Sequence, residues 1–165
     1  MCYFVRKIEL AKWKKNNPSN SSSVAADAIT GCTRTRNNTL SVWKNNNMEE
    51  LDKAVLAIAS QFERLDTMDV VVINISDIIS KGLTLSDEIG ITPYEDFSTR
   101  HFNICDLTYS SLGDVAEIIL SSIENEFNHR YRISELKNII KVGIIKGYIQ
   151  KSSLKDKVKE IIDIN

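Results

Sequence analysis

The sequence predicts an α/β domain in which helices flank a small mixed or mostly parallel sheet, with a helical C-terminal appendage. Strand-like and helix-like segments alternate from residue 1 to about residue 125, which is the order of elements in sheets covered by helices. Residues 69–75 form a continuous apolar run, a pattern typical of a strand buried on both faces. The 165 residues correspond in length to one domain. We divide this single domain into a core over residues 1–125 and a helical appendage over residues 126–165.

Four segments have the composition of β-strands, being rich in β-branched and aromatic residues between polar ends. They are residues 2–8, 39–43, 69–75 and 101–105. The run at 69–75 is expected to be central in the sheet. Residues 83–97 contain Gly90, Pro93 and Tyr94, and we expect them to form a long connection.

The clearest helix is predicted over residues 48–65. Asn47 precedes Glu50 by three residues, as in a capping box, and apolar residues then recur at intervals of four and three, which indicates one buried face. Further helices are expected after Ser23, Ser111, Ser134 and Ser153, because serine is a preferred N-cap. Residues 76–82 are expected to form a single helical turn.

The composition indicates a cytoplasmic protein that is not embedded in a membrane. Three cysteines, Cys2, Cys32 and Cys105, are far apart and include no C-x-x-C pair, so neither a disulfide framework nor a zinc site is expected. The first residues carry charges and lack the apolar stretch of a secretory signal. The longest apolar run is also far too short to span a bilayer.

Charge is distributed unevenly along the chain, although the net charge is only −1. Residues 1–36 carry seven basic and two acidic side chains, whereas residues 37–99 carry four basic and eleven acidic ones. Such asymmetry is typical of partner surfaces of opposite sign, or of solvated faces that balance each other in the fold. The sequence pI of about 6.1 argues against a dedicated DNA-binding domain.

No motif in the sequence predicts catalysis, a metal site or a bound cofactor. His101 and Cys105 would lie roughly 13 Å apart on one strand, at about 3.3 Å per residue, which is too far for a Cys-His pair. Acidic neighbours such as Asp87 and Glu88 do not converge on one point in an extended segment, and no phosphate-binding glycine loop is present. We therefore expect a protein that is not an enzyme, with no catalytic, metal or cofactor residues.

Four residues are candidates for a protein interface. Arg34 and Arg36 are two residues apart in a polar loop, where they can jointly bind a carboxylate or a phosphate. This loop precedes Trp43, and Trp13 lies in the basic N-terminal third. Tryptophan and arginine are the residues most enriched at interface hot spots. A solvated loop and a nucleic-acid contact remain alternatives for the arginine pair.

One family resemblance is carried by residues 3–8 with 11–13, by 26–30, and especially by 37–43 with 54–59, and it covers about the first half of the chain. These segments resemble the small middle component of bacterial ABC-three-component defence systems, the group to which Lamassu-type systems belong. The resemblance implies a non-catalytic accessory subunit that links an SMC/Rad50-like ATPase to a toxic effector, often a nuclease, in anti-phage or anti-plasmid defence. Any DNA contact would then be indirect, through the complex.

Two other classes of function remain open at this point. One is a small nuclease or nucleotide-modifying enzyme with a dispersed Asp, Glu, Arg and His site. The other is a nucleic-acid-binding module that uses the basic first 36 residues. A cleft in which three or more such ionisable groups converge would favour the enzyme, whereas an exposed apolar patch would favour the accessory subunit.

Overall fold

The computed structural model describes residues 2–33 and 36–163. The strands are β1 (Tyr3–Ile8), β2 (Leu40–Asn45), β3 (Met68–Asn74), β4 (Thr84–Asp87), β5 (His101–Cys105) and β6 (Asn128–Tyr131). The α-helices are α1 (Leu10–Trp13), α2 (Ala26–Cys32), α3 (Leu51–Ala59), α4 (Ile75–Ser80), α5 (Tyr109–Glu124), α6 (Ile133–Ile145) and α7 (Asp156–Asp163). The four strands expected from the sequence are confirmed as β1, β2, β3 and β5.

In the described part of the chain, the strands form one six-stranded sheet in the order β4-β5-β2-β1-β3-β6. Every pair of neighbouring strands in it is antiparallel. The prediction of a mixed or mostly parallel sheet is therefore wrong.

The error arises because alternation of strands and helices predicts the direction of connected strands but not their adjacency. Helix α3 connects β2 to β3, and these two strands do run in the same direction, since both are antiparallel to β1. However, β1 lies between them in the sheet. Helix α5 likewise connects β5 to β6, which share a direction but are separated by three strands. Each pair of strands joined by a helix is therefore separated in the sheet by at least one strand of the opposite direction.

Both faces of the antiparallel sheet are covered, which explains the continuous apolar run in β3. Val70 and Val72 pack on one face with α3, α6 and α7. Val71 and Ile73 pack on the other face with α2, α4 and α5. A run of apolar residues predicts burial on two faces, and such burial does not require parallel neighbours.

The C-terminal residues are part of the sheet and of the core. The helical appendage expected over residues 126–165 included no strand. Strand β6 pairs with β3, and α6 and α7 contribute buried side chains to the same core cluster as α3. Gly143 of α6 lies so close to α3 that a Cβ there would be 2.6 Å from Leu56 Cδ2. Strands β4 and β6 were missed because they are short and polar edge strands.

Several helices begin or end away from their predicted positions, α3 and α5 among them. Asn47 does cap a turn, accepting from the Glu50 amide at 3.1 Å. That turn is a 3-10 turn, however, and α3 itself ends at Ala59 rather than at Leu65. Helix α5 starts one turn earlier than expected, because Thr108 and Ser111 form its capping box.

Candidate functional site

A surface groove of about 400 Å³ opens beside β2 and β5, where several polar side chains meet two exposed isoleucines. Two cross-strand pairs form its floor: Trp43 lies opposite His101, and Ser41 lies opposite Asn103. Because side chains alternate between faces with a period of two, all four point to the same side of the sheet. The groove therefore has a floor of fixed geometry.

The loop that follows β4 forms one wall of the groove and is held tightly by its backbone. The Gly90 amide donates to the Ser98 carbonyl at 2.9 Å. A Cβ on Gly90 would be only 2.6 Å from both His101 Cβ and Trp43 Cη2, so only glycine permits this close approach. We call residues 88–91 the isoleucine loop.

His101 anchors the isoleucine loop rather than presenting a free imidazole. Its Nδ1 lies 3.1 Å from the Glu88 carbonyl oxygen. Since that oxygen can only accept, Nδ1 carries the hydrogen in this contact. The ring also packs edge-on against Trp43, with a centroid separation of 5.1 Å. Two contacts thus fix the orientation of the imidazole.

A chain of hydrogen bonds satisfies the remaining polar groups on the floor. Ser41 Oγ donates to Asn103 Oδ1 at 3.2 Å, and Asn103 Nδ2 donates to Glu88 Oε2 at 2.7 Å. Asn103 is buried, and a buried amide without such partners would carry a desolvation cost. The hydrogen bond between Asn103 and the Glu88 carboxylate thereby holds the loop against the sheet.

Arg36 lies on the opposite side of the groove, on a tight hairpin. Asn37 and Asn38 both have positive φ, 52° and 58°, as a type I′ turn requires and as asparagine tolerates. The backbones of Arg36 and Thr39 exchange two hydrogen bonds across this turn. The Leu107 amide also donates to the Asn38 carbonyl at 3.0 Å. Arg36 is exposed, so its charge is presented to solvent at the groove.

Two of the other predicted interface residues, Trp13 and Trp43, are placed differently from Arg36. Trp13 is fully buried on the sheet face that α2, α4 and α5 cover. Its Nε1 has no hydrogen-bond partner in the described residues. Trp43 is buried as well, stacked on Phe97 at a centroid distance of 6.0 Å. Arg34 lies outside the described residues. Both tryptophans therefore pack in the core of the isolated chain, and among the three described candidates Arg36 is the exposed one.

Two residues that the sequence reasoning missed are the most conspicuous features of the groove. Ile89 and Ile91, on either side of Gly90, have 80% and 91% of their surface exposed. An Ile-Gly-Ile sequence inside a long connection is the available signal, since isoleucine is otherwise among the residues most often buried. The loop therefore exposes two large aliphatic side chains on a backbone whose position is fixed.

The ionisable groups near the groove are poorly arranged for chemistry. Burial raises the pKa of the Cys105 thiol, which keeps it protonated and weakly nucleophilic. Its Sγ is directed toward the Asn103 carbonyl oxygen at 3.6 Å. Within residues 2–33 and 36–163, no three His, Cys, Asp or Glu side chains are grouped so that they could hold a metal ion.

No family model, curated protein or solved structure matches this chain. Over the same described residues, none of the helices has both the length and the apolar composition that crossing a bilayer would require.

Proposed function

We propose that this protein is a non-catalytic accessory subunit that binds a partner protein through the groove beside β2 and β5. The exposure of Ile89 and Ile91 carries the proposal. Large aliphatic side chains exposed together mark interaction surfaces, and each contributes roughly 1.5–3 kcal/mol when a partner removes it from water.

The rigidity of the isoleucine loop supports binding to a protein surface. Its backbone is fixed by Ser98, by His101 and by the close approach of Gly90 to Trp43. A preformed surface loses less conformational entropy when a partner docks. Arg36, exposed on the facing hairpin, adds a cation that can form a bidentate contact with a partner carboxylate.

The partners we propose are those that the family resemblance implies, an SMC/Rad50-like ATPase and a toxic effector encoded beside this chain. The setting would be anti-phage or anti-plasmid defence in the bacterial cytoplasm. The excess of basic residues in the first third of the chain supports an acidic docking surface on one of these partners, because opposite charges favour encounter and orientation.

Co-expression with the neighbouring genes tests the proposal. A stable complex should appear in size-exclusion chromatography, and it should lose this subunit when Ile89 and Ile91 are both changed to aspartate. The matched control changes Ile79 and Ile145, which are 64% and 83% exposed, to aspartate outside the groove. Elution of the wild-type chain as a free 18.7 kDa species would refute the proposal.

One observation favours a small hydrolytic enzyme as the second candidate. Arg36, Glu88 and His101 line the same groove, which is the convergence of ionisable groups expected of an active site. The hydrogen bonds of Glu88 and His101 within the loop count against it. Hydrolysis of single-stranded DNA or RNA that disappears in His101→Ala, with partner binding retained, would establish this function instead.

A further inference from the structure

The sheet splits between β1 and β2 and forms a second cleft, which shares Ser41 and Trp43 with the groove. Strand β1 pairs with β3 along its whole length, from Tyr3 to Ile8. Its pairing with β2 ends after Val5 and Trp43. Beyond this point the two strands diverge, and a cleft of about 320 Å³ lies between them. Its volume is at the lower end of the range for small-molecule sites.

Arg6 lines the cleft, and its guanidinium donates to two backbone carbonyl groups. Its Nε and Nη2 both donate to the Cys32 carbonyl, at 2.9 and 2.7 Å, and Nη1 donates to the Ser41 carbonyl at 2.5 Å. A guanidinium has five N–H bonds, so one N–H on each terminal nitrogen is left without an acceptor in the described residues. These N–H bonds remain available to an acceptor that enters the cleft.

The positive charge of Arg6 has no carboxylate to balance it. In the described parts of the chain, no Asp or Glu oxygen lies within 4.0 Å of the guanidinium, the limit for an ion pair. Burial lowers the pKa of Arg6 to about 10, because desolvation disfavours the charged guanidinium. A desolvated charge of this kind is stabilised strongly by an opposite charge that enters the same site.

The surroundings of the cleft add positive rather than negative potential. Lys7 lines it from the other face of the sheet, with Nζ 4.4 Å from the centroid of the Phe62 ring. Glu9 is the acidic residue on the lining, and both of its oxygens lie 2.8 Å from Lys12 Nζ. The acid is therefore already paired, and Arg6 and Lys7 supply the net charge of the cleft.

We propose that the cleft between β1 and β2 is a binding site for a small oxyanion, a phosphate or carboxylate group, which Arg6 holds through its two remaining N–H bonds. The site is separate from the isoleucine loop and does not depend on the proposed partner. Phosphate, with more charge and more acceptor oxygens than a carboxylate, is the expected stronger ligand.

NMR titration of the whole chain with inorganic phosphate and, separately, with acetate tests the site at constant ionic strength. Saturable shifts of the Arg6 Nε–H signal are expected, with phosphate binding more tightly than acetate. If acetate binds as tightly, the ligand class is carboxylate, as from an acidic side chain. Absence of saturable shifts with both anions would overturn the proposal.

Three variants assign the binding to the cleft. Arg6→Gln should weaken phosphate binding by on the order of tenfold or more, because it removes the charge and the guanidinium donors. Lys15→Gln makes the same change of charge at an exposed position that does not line the cleft, and should bind as the wild type does. Equal weakening by Arg6→Gln and Lys15→Gln would overturn the proposal in favour of general charge attraction.

Gly31→Leu keeps the test decisive if Arg6→Gln does not fold. Gly31 lies in α2 and lines the cleft, where the described atoms within 4 Å of an added Cβ are Lys12 Nζ at 3.3 Å and Glu9 Oε1 at 3.7 Å. Leucine favours helix more than glycine does, so the fold should be retained while the cleft is filled. Loss of phosphate binding is expected, and unchanged binding would overturn the proposal.

Discussion

Replacement of Ile140 by alanine tests whether the C-terminal helices belong to the main core. Ile140 of α6 is fully buried in the cluster that also contains α3. Truncation of a buried isoleucine to alanine costs about 2–5 kcal/mol, from lost transfer free energy and from the cavity left behind. Its complete burial in this cluster places the expected loss near the middle of this range, about 3 kcal/mol.

Ile145 provides a control on the same helix with the same chemical change. It is 83% exposed, so Ile145→Ala should change the free energy of unfolding by less than about 0.5 kcal/mol. Both substitutions replace isoleucine with alanine, which has the higher helix propensity. The difference between the two variants therefore isolates the contribution of burial.

Urea denaturation followed by circular dichroism and tryptophan fluorescence is the appropriate measurement. Ile140→Ala should lower the midpoint of a single transition without changing its slope, since a changed slope would mean altered compactness. In a chain of this size, 3 kcal/mol corresponds to a drop in Tm of roughly 6–12 °C. A loss below about 1 kcal/mol for Ile140→Ala, or two separate transitions in the wild type, would show that residues 126–165 are an independent appendage.

Three further predictions concern the core, the groove and alkaline pH. Ile58→Ala should cost about 2 kcal/mol in urea denaturation, the low end of the usual range because Ile58 borders a cleft, and a cost below about 1 kcal/mol would place it outside the core. Gly90→Ala should displace the isoleucine loop and weaken partner binding in a pull-down, and it should cost more free energy of binding than of unfolding. Unchanged binding would refute the fixed-loop account. Burial, with the nearby Asp52 carboxylate, raises the pKa of Tyr131. The unfolded chain therefore loses this proton first, and stability should fall as pH rises above about 10; a Tyr131→Phe variant that loses stability equally would refute this cause.

The sequence was most informative where hydrophobic patterning was strong. The strand at 69–75 and the amphipathic helix after Asn47 were predicted because apolar side chains recur with a strand or helix period. Strands β4 and β6 gave no such signal, since edge strands are held by backbone hydrogen bonds on one side and carry polar residues. Without them, neither the strand order nor the antiparallel pairing could be deduced.

The candidate site was predictable only in part because it depends on contacts that are distant in the chain. Arg36 was recognised from its loop composition, and the Asn37–Asn38 pair does form a tight turn. Trp43 looked like an interface residue because tryptophan is common at hot spots, but its ring is covered by Phe97 and the isoleucine loop. The exposure of Ile89 was missed, since the Ile-Gly-Ile sequence is a weak signal and local sequence does not show which connection is held away from the core.

The most direct test of the central claim is the affinity of this chain for the purified partner that it co-elutes with. The dissociation constant should rise more than a hundredfold when Ile89 and Ile91 are changed to aspartate, because about 3 kcal/mol of apolar burial is lost. The control with aspartate at Ile79 and Ile145 should bind within about threefold of the wild type, which is less than 1 kcal/mol. Equal affinities for the two double variants would contradict the assignment of the groove as the partner-binding surface.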